Sequence, residues 1–155
     1  MKIIEQEEVR KLLQPKDCIQ LMAEALKGLE SGEYAQPARL ITVMPNTAKF
    51  GFMPAYVGDY FGAKVISAFA PNMGTKYPSH IGYVMLFESA HSTVAGMIEA
   101  GSITEIRTGA VSAAATDLLA RKDSHKLALI GAGAQARSHL AAIREIRDIT
   151  SVTVY

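Results

Sequence analysis

The chain contains a single cysteine, Cys18, so no disulfide can form within it. A disulfide-stapled secreted scaffold is excluded, and a lone thiol fits a reducing cytoplasm. Cys18 falls inside a predicted helix, where a buried structural thiol is the expected role. An excess of one charge sign is missing too: Lys and Arg number 16 against 15 Asp and Glu, a net charge of +1. That balance argues against a nucleic-acid-binding surface as the main task. No apolar run approaches the length of a membrane span. The opening Met1-Lys2-Ile3-Ile4-Glu5 turns acidic at once and carries no secretory pattern. A soluble, cytoplasmic protein is expected. No histidine pair or carboxylate cluster has metal-ligand spacing, so no metal is expected. Ser112 lacks a nucleophile-elbow context. Internal repeats and low-complexity tracts are absent.

What is present is a chain of 155 residues, 49% hydrophobic and 20% charged, enough for one modest domain or a domain plus part of another. Glu5 to Leu13 reads as a short helix, acidic at its start and basic at its end. Pro15 opens a second helix, with Ile19, Met22, Ala23, Leu26 and Leu29 on one apolar face and Gly32 as its stop. From Ala38 the period changes. Leu40–Met44, Gly51–Val57, Ala63–Phe69, Gly82–Glu88 and Thr93–Glu99 read as strands, broken by prolines and glycines. No helix long enough for a parallel crossover separates them, so a mainly antiparallel sheet is expected. Pro54 implies an edge, a bulge or a strand start. Ser102-Ile103-Thr104-Glu105 matches a capping box and should open an alanine-rich helix reaching about Arg121. His80 reads as a hydrogen-bonded structural histidine, His91 and His125 as loop residues, and His139 as a helix-surface residue.

The most informative segment is Gly131-Ala132-Gly133-Ala134-Gln135-Ala136. It follows the apolar run Leu127–Ile130 and precedes a predicted helix from Ala134 to about Ile146, with a strand at Ser151–Tyr155. Gly131 allows a tight turn, Gly133 lets the backbone approach a pyrophosphate, and Ala136 keeps helix and strand close. The helix N-terminus offers unpaired N–H groups and the positive end of a dipole to phosphates. Strand, turn, helix and strand in this order form the opening of a dinucleotide-binding fold.

Four further blocks precede that turn: Pro37-Ala38-Arg39, Phe52-Met53-Pro54-Ala55-Tyr56, Gly62-Ala63-Lys64-Val65, and Ile103-Thr104-Glu105-Ile106-Arg107-Thr108-Gly109-Ala110-Val111-Ser112-Ala113. Together with the turn they resemble the ornithine cyclodeaminase/mu-crystallin family over nearly the whole chain. The resemblance implies an α/β fold: a mainly antiparallel substrate and dimerisation sheet with helices over residues 1–121, then the start of a Rossmann parallel sheet over 122–155. Family members are about twice this long. It also implies NAD as cofactor, with NADP an alternative, and a homodimer acting on a small amino acid or cyclic imine. Arg39, Lys64 and Arg107 match the cationic residues that hold the substrate carboxylate. Lys64 is the expected catalytic residue among them. Thr108 and residues Gly131, Ala132, Gly133, Ala134, Gln135 and Ala136 match the cofactor-binding positions.

The chemistry suits that assignment. An arginine can grip a carboxylate through paired N–H donors, and a lysine adds a point charge. Fixing the carboxylate holds the neighbouring carbon against the nicotinamide. Neighbouring positive charge favours a neutral Lys64, which can then carry protons. The leading expectation is ornithine cyclodeamination to proline with ammonia release. The alternatives are a ketimine reductase or amino-acid dehydrogenase of the same family, and a non-catalytic dimerisation or binding fragment. Two departures bear on this. The family's catalytic aspartate and the residue that selects NAD or NADP are expected beyond Tyr155. Gly51 stands two positions before the Met-Pro pair, where ornithine-cyclising members tend to carry an acid.

Overall fold

A computed structural model describes residues 1–155. In chain order the elements are β1 (Lys2–Ile4), α1 (Gln6–Leu12), α2 (Pro15–Ser31), β2 (Leu40–Val43), β3 (Lys49–Val57), β4 (Tyr60–Ala68), a 3-10 turn (Ala70–Asn72), β5 (His80–Glu88), β6 (Val94–Glu99), α3 (Ala100–Leu119), β7 (Lys126–Leu129), α4 (Ala134–Arg144) and β8 (Ser151–Val154). Contacts group them into two compact units. One comprises Met1–Val9 and Lys27–Ser102, the other Arg10–Leu26 and Ile103–Tyr155. The grouping cuts through α1, α2 and α3.

The first unit is a six-stranded sheet in the order β1-β6-β5-β4-β3-β2. The run from β2 to β6 is antiparallel throughout, built from consecutive hairpins as the short connections require. β1 adds a parallel edge against β6. Lys2-Ile3-Ile4 is too short to announce itself by alternation, so the sheet is mixed rather than wholly antiparallel. β2 pairs with Lys49–Phe52 and Ala35 bridges Tyr56, which leaves Pro54 in the gap between them, where a missing N–H costs no ladder bond on that side. On one face the Phe61 and Phe87 rings stack with centroids 5.2 Å apart.

α3 does not start at the expected capping box. It begins at Ala100, directly from β6, and the Glu99 carboxylate accepts the Gly101 and Ser102 N–H groups, the latter at 2.8 Å. An acid beside the first turn satisfies orphan donors and complements the dipole. The Ser102 hydroxyl is buried without a partner instead of capping.

The second unit packs α3 and α4 with the parallel pair β7–β8. Its core is small: Ala113, Ala142 and Ile143 are buried, with Ile19, Leu127, Ile146 and Ile149 against them. The alanines permit close helix approach. At Gly109 the approach is closest, since a Cβ there would lie 2.5 Å from the Ser138 carbonyl oxygen. Arg147 closes the unit. Its guanidinium donates to the Asp117 carboxylate at 2.6 Å and to the carbonyls of Ala120, Arg121 and Thr116 at 3.1–3.3 Å. Those carbonyls lie in and just beyond the last turn of α3, where no intrahelical donor is available to the final ones.

Candidate active site

Side-chain alternation along the ladders sorts the first unit's sheet into two faces. Lys64 on β4 lies opposite Met53 on β3 and Val84 on β5, and Val84 lies opposite Ile98. Arg39 immediately precedes β2, whose first pair is Leu40 with Phe52, the residue before Met53. Arg39 and Lys64 therefore lie near the same part of the sheet, with β3 between them. At the usual strand spacing their backbones stand roughly 10 Å apart. Both are long side chains, so their charged ends can reach a common anion.

The rows next to Lys64 are apolar or small. Ile41, Gly51, Ile66 and Gly82 form the row on one side of Lys64, and Ala55, Gly62, Leu86 and Gly96 the row on the other. His80 is on the same face but two rows away, and Ser79 Oγ lies 3.2 Å from its Nδ1.

Arg107 is on α3, in the second unit, and its side chain is exposed. Its positive charge is felt by Cys18 on α2. Burial pushes the Cys18 thiol up from its ordinary range, and the Arg107 charge opposes part of that rise. The buried thiol expected from the sequence is what the structure shows. Thr108 donates its hydroxyl back to the Thr104 carbonyl at 2.6 Å. Gly109, next in the chain, presses against α4 at Ser138 and His139, so this block is backed by the nucleotide-turn helix.

The turn itself has the features a dinucleotide needs. Gly131 takes φ +96°, a region that favours glycine. Gly133 precedes α4 with extended backbone and no side-chain cap, and a Cβ built on it would meet nothing within 4 Å. Space for a close approach is therefore present. Ala136 and Arg137 N–H groups turn back to the Gly133 carbonyl, while the Ala134 and Gln135 N–H groups at the exposed helix start have no backbone acceptor. The β7–β8 ladder continues into the turn, with Gly131 N–H donating to Tyr155 O at 2.8 Å. A pyrophosphate would be held by these N–H groups and the α4 dipole.

Several influential residues carry no sequence signal. Arg147 and Asp117 are thirty positions apart, and nothing local marks them as partners. Tyr83 donates to the Glu5 carboxylate at 3.3 Å on the opposite face, and the nearby Glu5 charge raises its phenol above the ordinary range. His125 and His139 bond backbone carbonyls of Asp148 and Gln135. No group of three or more His, Cys, Asp or Glu side chains could hold a metal, and no helix is long and apolar enough to cross a membrane.

Comparison with known proteins places this geometry in context. The model of the ornithine cyclodeaminase/mu-crystallin family matches residues 1–155. The ketimine reductase mu-crystallin of Mus musculus is 35% identical over 127 residues, which is 80% of this chain and 40% of the relative. The Thermococcus litoralis Δ1-pyrroline-2-carboxylate reductase, solved with NADH and L-proline, is 33% identical with a TM-score of 0.92, covering 100% of this chain and 49% of that one. An archaeal alanine dehydrogenase dimer with bound NAD is 28% identical with a TM-score of 0.93, covering 99% and 48%. The chain spans between 40% and 50% of the length of the curated relatives it matches.

Proposed function

The chain belongs to the ornithine cyclodeaminase/mu-crystallin family, and on that premise we propose that it is the substrate-binding portion, with the start of the nucleotide-binding portion, of an NAD(H)-dependent reductase of cyclic imino acids. The observation that carries this reading is Lys64 among small and apolar neighbours on the sheet, with Arg39 at the start of β2 one strand away. Arg39, Lys64 and Arg107 hold the substrate carboxylate. Thr108 and the turn residues from Gly131 to Ala136 hold the dinucleotide. NADP is the alternative cofactor.

When bound, the nicotinamide supplies the hydride that converts a C=N carbon to an amine-bearing carbon. The protein's part is to fix the carboxylate beside that carbon, and so to fix the carbon itself. Cationic side chains also favour the carboxylate over a neutral acid and shield it from the rest of the apolar face. Relatives similar in sequence favour imine reduction over ornithine cyclodeamination, since they include ketimine and pyrroline-2-carboxylate reductases and an alanine dehydrogenase, while a lysine cyclodeaminase is among the similar solved structures. The missing acid at Gly51 supports the same preference, because nothing there could pair with a second ammonium.

Oxidation of NADH by Δ1-pyrroline-2-carboxylate, followed by absorbance, tests the reading. Lys64→Met should lower turnover roughly 10- to 100-fold, the worth of one charged hydrogen bond. Release of ammonia and proline from ornithine with no net change in NADH would return the assignment to the cyclodeaminase branch.

We further propose a homodimer, formed through the opposite sheet face. Leu40, Phe50, Phe52, Tyr56 and Ile81 are exposed there within the chain, a patch of the kind that marks an interface. Phe50→Glu with Phe52→Glu should give a monomer by light scattering, and an unchanged dimer would move the interface elsewhere.

A further inference from the structure

We propose that the substrate's side chain is uncharged and lies in a hollow beside Lys64, between Met53, Ala55, Gly62, Val84 and Leu86, so that amino acids ending in a second ammonium are refused. The inference rests on the reading above, in which Arg39 and Lys64 hold the carboxylate.

The direction in which a side chain can leave the carboxylate is set by what fills the rows flanking Lys64. On one flank, Gly51 supplies no side chain, yet the space is already taken. A Cβ built there would meet Ile66 Cγ1 at 2.8 Å and Ile41 Cδ1 at 2.9 Å. On the other flank the row is Ala55, Gly62 and Leu86, and an open hollow of about 190 Å³ runs along it, lined at its far end by Val57 and Tyr60. Liquid water occupies about 30 Å³ per molecule. The hollow thus has room for about six water-sized groups, the scale of a five- or six-membered ring. Its shape is imposed by the sheet. A Cβ at Gly62 would run into the Met85 carbonyl oxygen, so the β5 backbone keeps this position bare.

Charge decides which side chains are accepted. Among the strand residues of this face, Glu88 is the only carboxylate. It is committed elsewhere: it accepts the His91 and Thr93 N–H groups at 3.0 Å and the Thr93 hydroxyl at 2.9 Å, tying down the β5–β6 connection. These bonds hold Glu88 below the usual carboxylate range. An ammonium entering the hollow would lose water and find no free carboxylate on these strands. An apolar ring loses nothing of the kind and gains burial.

The test uses the 155-residue chain with labelled Met, Ile, Leu and Val methyl groups, titrated with acetate, L-proline and L-ornithine and observed by NMR. L-Proline should shift the methyls of Met53, Val84 and Leu86 and leave Ile41 unmoved, with L-ornithine at least roughly tenfold weaker. Ala55→Leu, which narrows the hollow, should weaken L-proline roughly tenfold and leave acetate unchanged. Leu86→Ala gives a second variant, expected to weaken L-proline selectively by removing one wall. Equal affinity for ornithine and proline, a response centred on Ile41 and Ile66, or variants that bind proline like the parent would overturn the proposal while the carboxylate grip stands. If neither acetate nor proline shifts any methyl on this face, the grip fails and the proposal fails with it.

Discussion

Replacing Arg147 by methionine removes the one guanidinium that ends α3. Its side chain is only 4% exposed, and it donates to the Asp117 carboxylate at 2.6 Å, to Ala120 O at 3.1 Å and to Arg121 O at 3.2 Å. Methionine fills much of the volume but donates nothing, so the half-buried carbonyls lose this donor. Breaking a buried charged contact typically costs about 3–5 kcal/mol. Asp117 keeps Lys122 at 2.7 Å and is 45% exposed, so water can reach it, and the lower end of that range applies. At a urea m-value near 2 kcal/mol/M, a loss of about 3 kcal/mol lowers the midpoint by about 1.5 M. Amide exchange at Ala120, whose N–H bonds Thr116 O, should speed up by at least roughly 100-fold if the last turn opens with it. Arg147→Lys should recover only part of the loss, because a point charge cannot serve several carbonyls as a planar fork does. Lys122→Met, at a mostly exposed position, should move the midpoint by a small fraction of the Arg147 shift. An Arg147→Met midpoint within about 0.3 M of the parent would refute the idea that this side chain secures the unit.

Three other outcomes follow from particular contacts. The Arg147 and Lys122 hydrogen bonds hold the Asp117 carboxyl below its ordinary range, so its stabilising contribution is present above the unfolded aspartate pKa and is lost as pH falls through the depressed value; Asp117→Asn should flatten the acid limb of a stability–pH profile. Gly131→Ala should destabilise the chain through its φ of +96°, whereas Gly133→Ala should leave thermal stability unchanged and weaken NADH binding in a fluorescence titration, because nothing in the chain occupies that space. Gly109→Ala sets two effects against each other: better helix propensity, worth about 1 kcal/mol, and a Cβ 2.5 Å from the Ser138 carbonyl oxygen. Overpacking against backbone costs about 1–3 kcal/mol, so a net loss in a urea melt is expected, and a gain would mean that α3 and α4 separate freely.

Much of this architecture is legible from residue order because its causes are local. Alternating apolar residues and proline–glycine breaks mark the five strands from β2 to β6, and hairpin-length connections impose antiparallel pairing. The Gly131 turn is equally local, since φ and spacing are set by six residues. What escapes notice depends on partners distant in the chain. β1 is three residues long and exists because β6 offers an edge. The start of α3 is misread at Ser102 because Glu99, a strand residue, does the capping. Arg147 looks like an ordinary surface charge until α3 ends beside it.

The placing of Arg39 and Lys64 lies between these cases, and it shows what register adds to composition. Neither residue is distinctive by type, and a lone arginine beside a strand is usually solvated. Lys64 is set by its pair with Met53, and Arg39 is brought near by the Leu40–Phe52 pair that follows it. A slip of one residue in the β3–β4 pairing would turn Lys64 to the apolar, Phe52-bearing face. Register is held here by burial of Gly51 under Ile41 and Ile66, where any side chain would collide. The glycine that stands where an acid is expected thus also fits the strands that carry the proposed carboxylate-binding cations. Gly51→Glu should therefore fail to create a diamino-acid enzyme: the larger side chain must displace Ile41 or Ile66 before it can meet an ammonium. The expected result is weaker L-proline binding without a gain for L-ornithine, read by the same methyl titration. Ornithine affinity that rises while the Ile41 and Ile66 methyl signals stay in place would show that the pocket can accept an acid without loss of register.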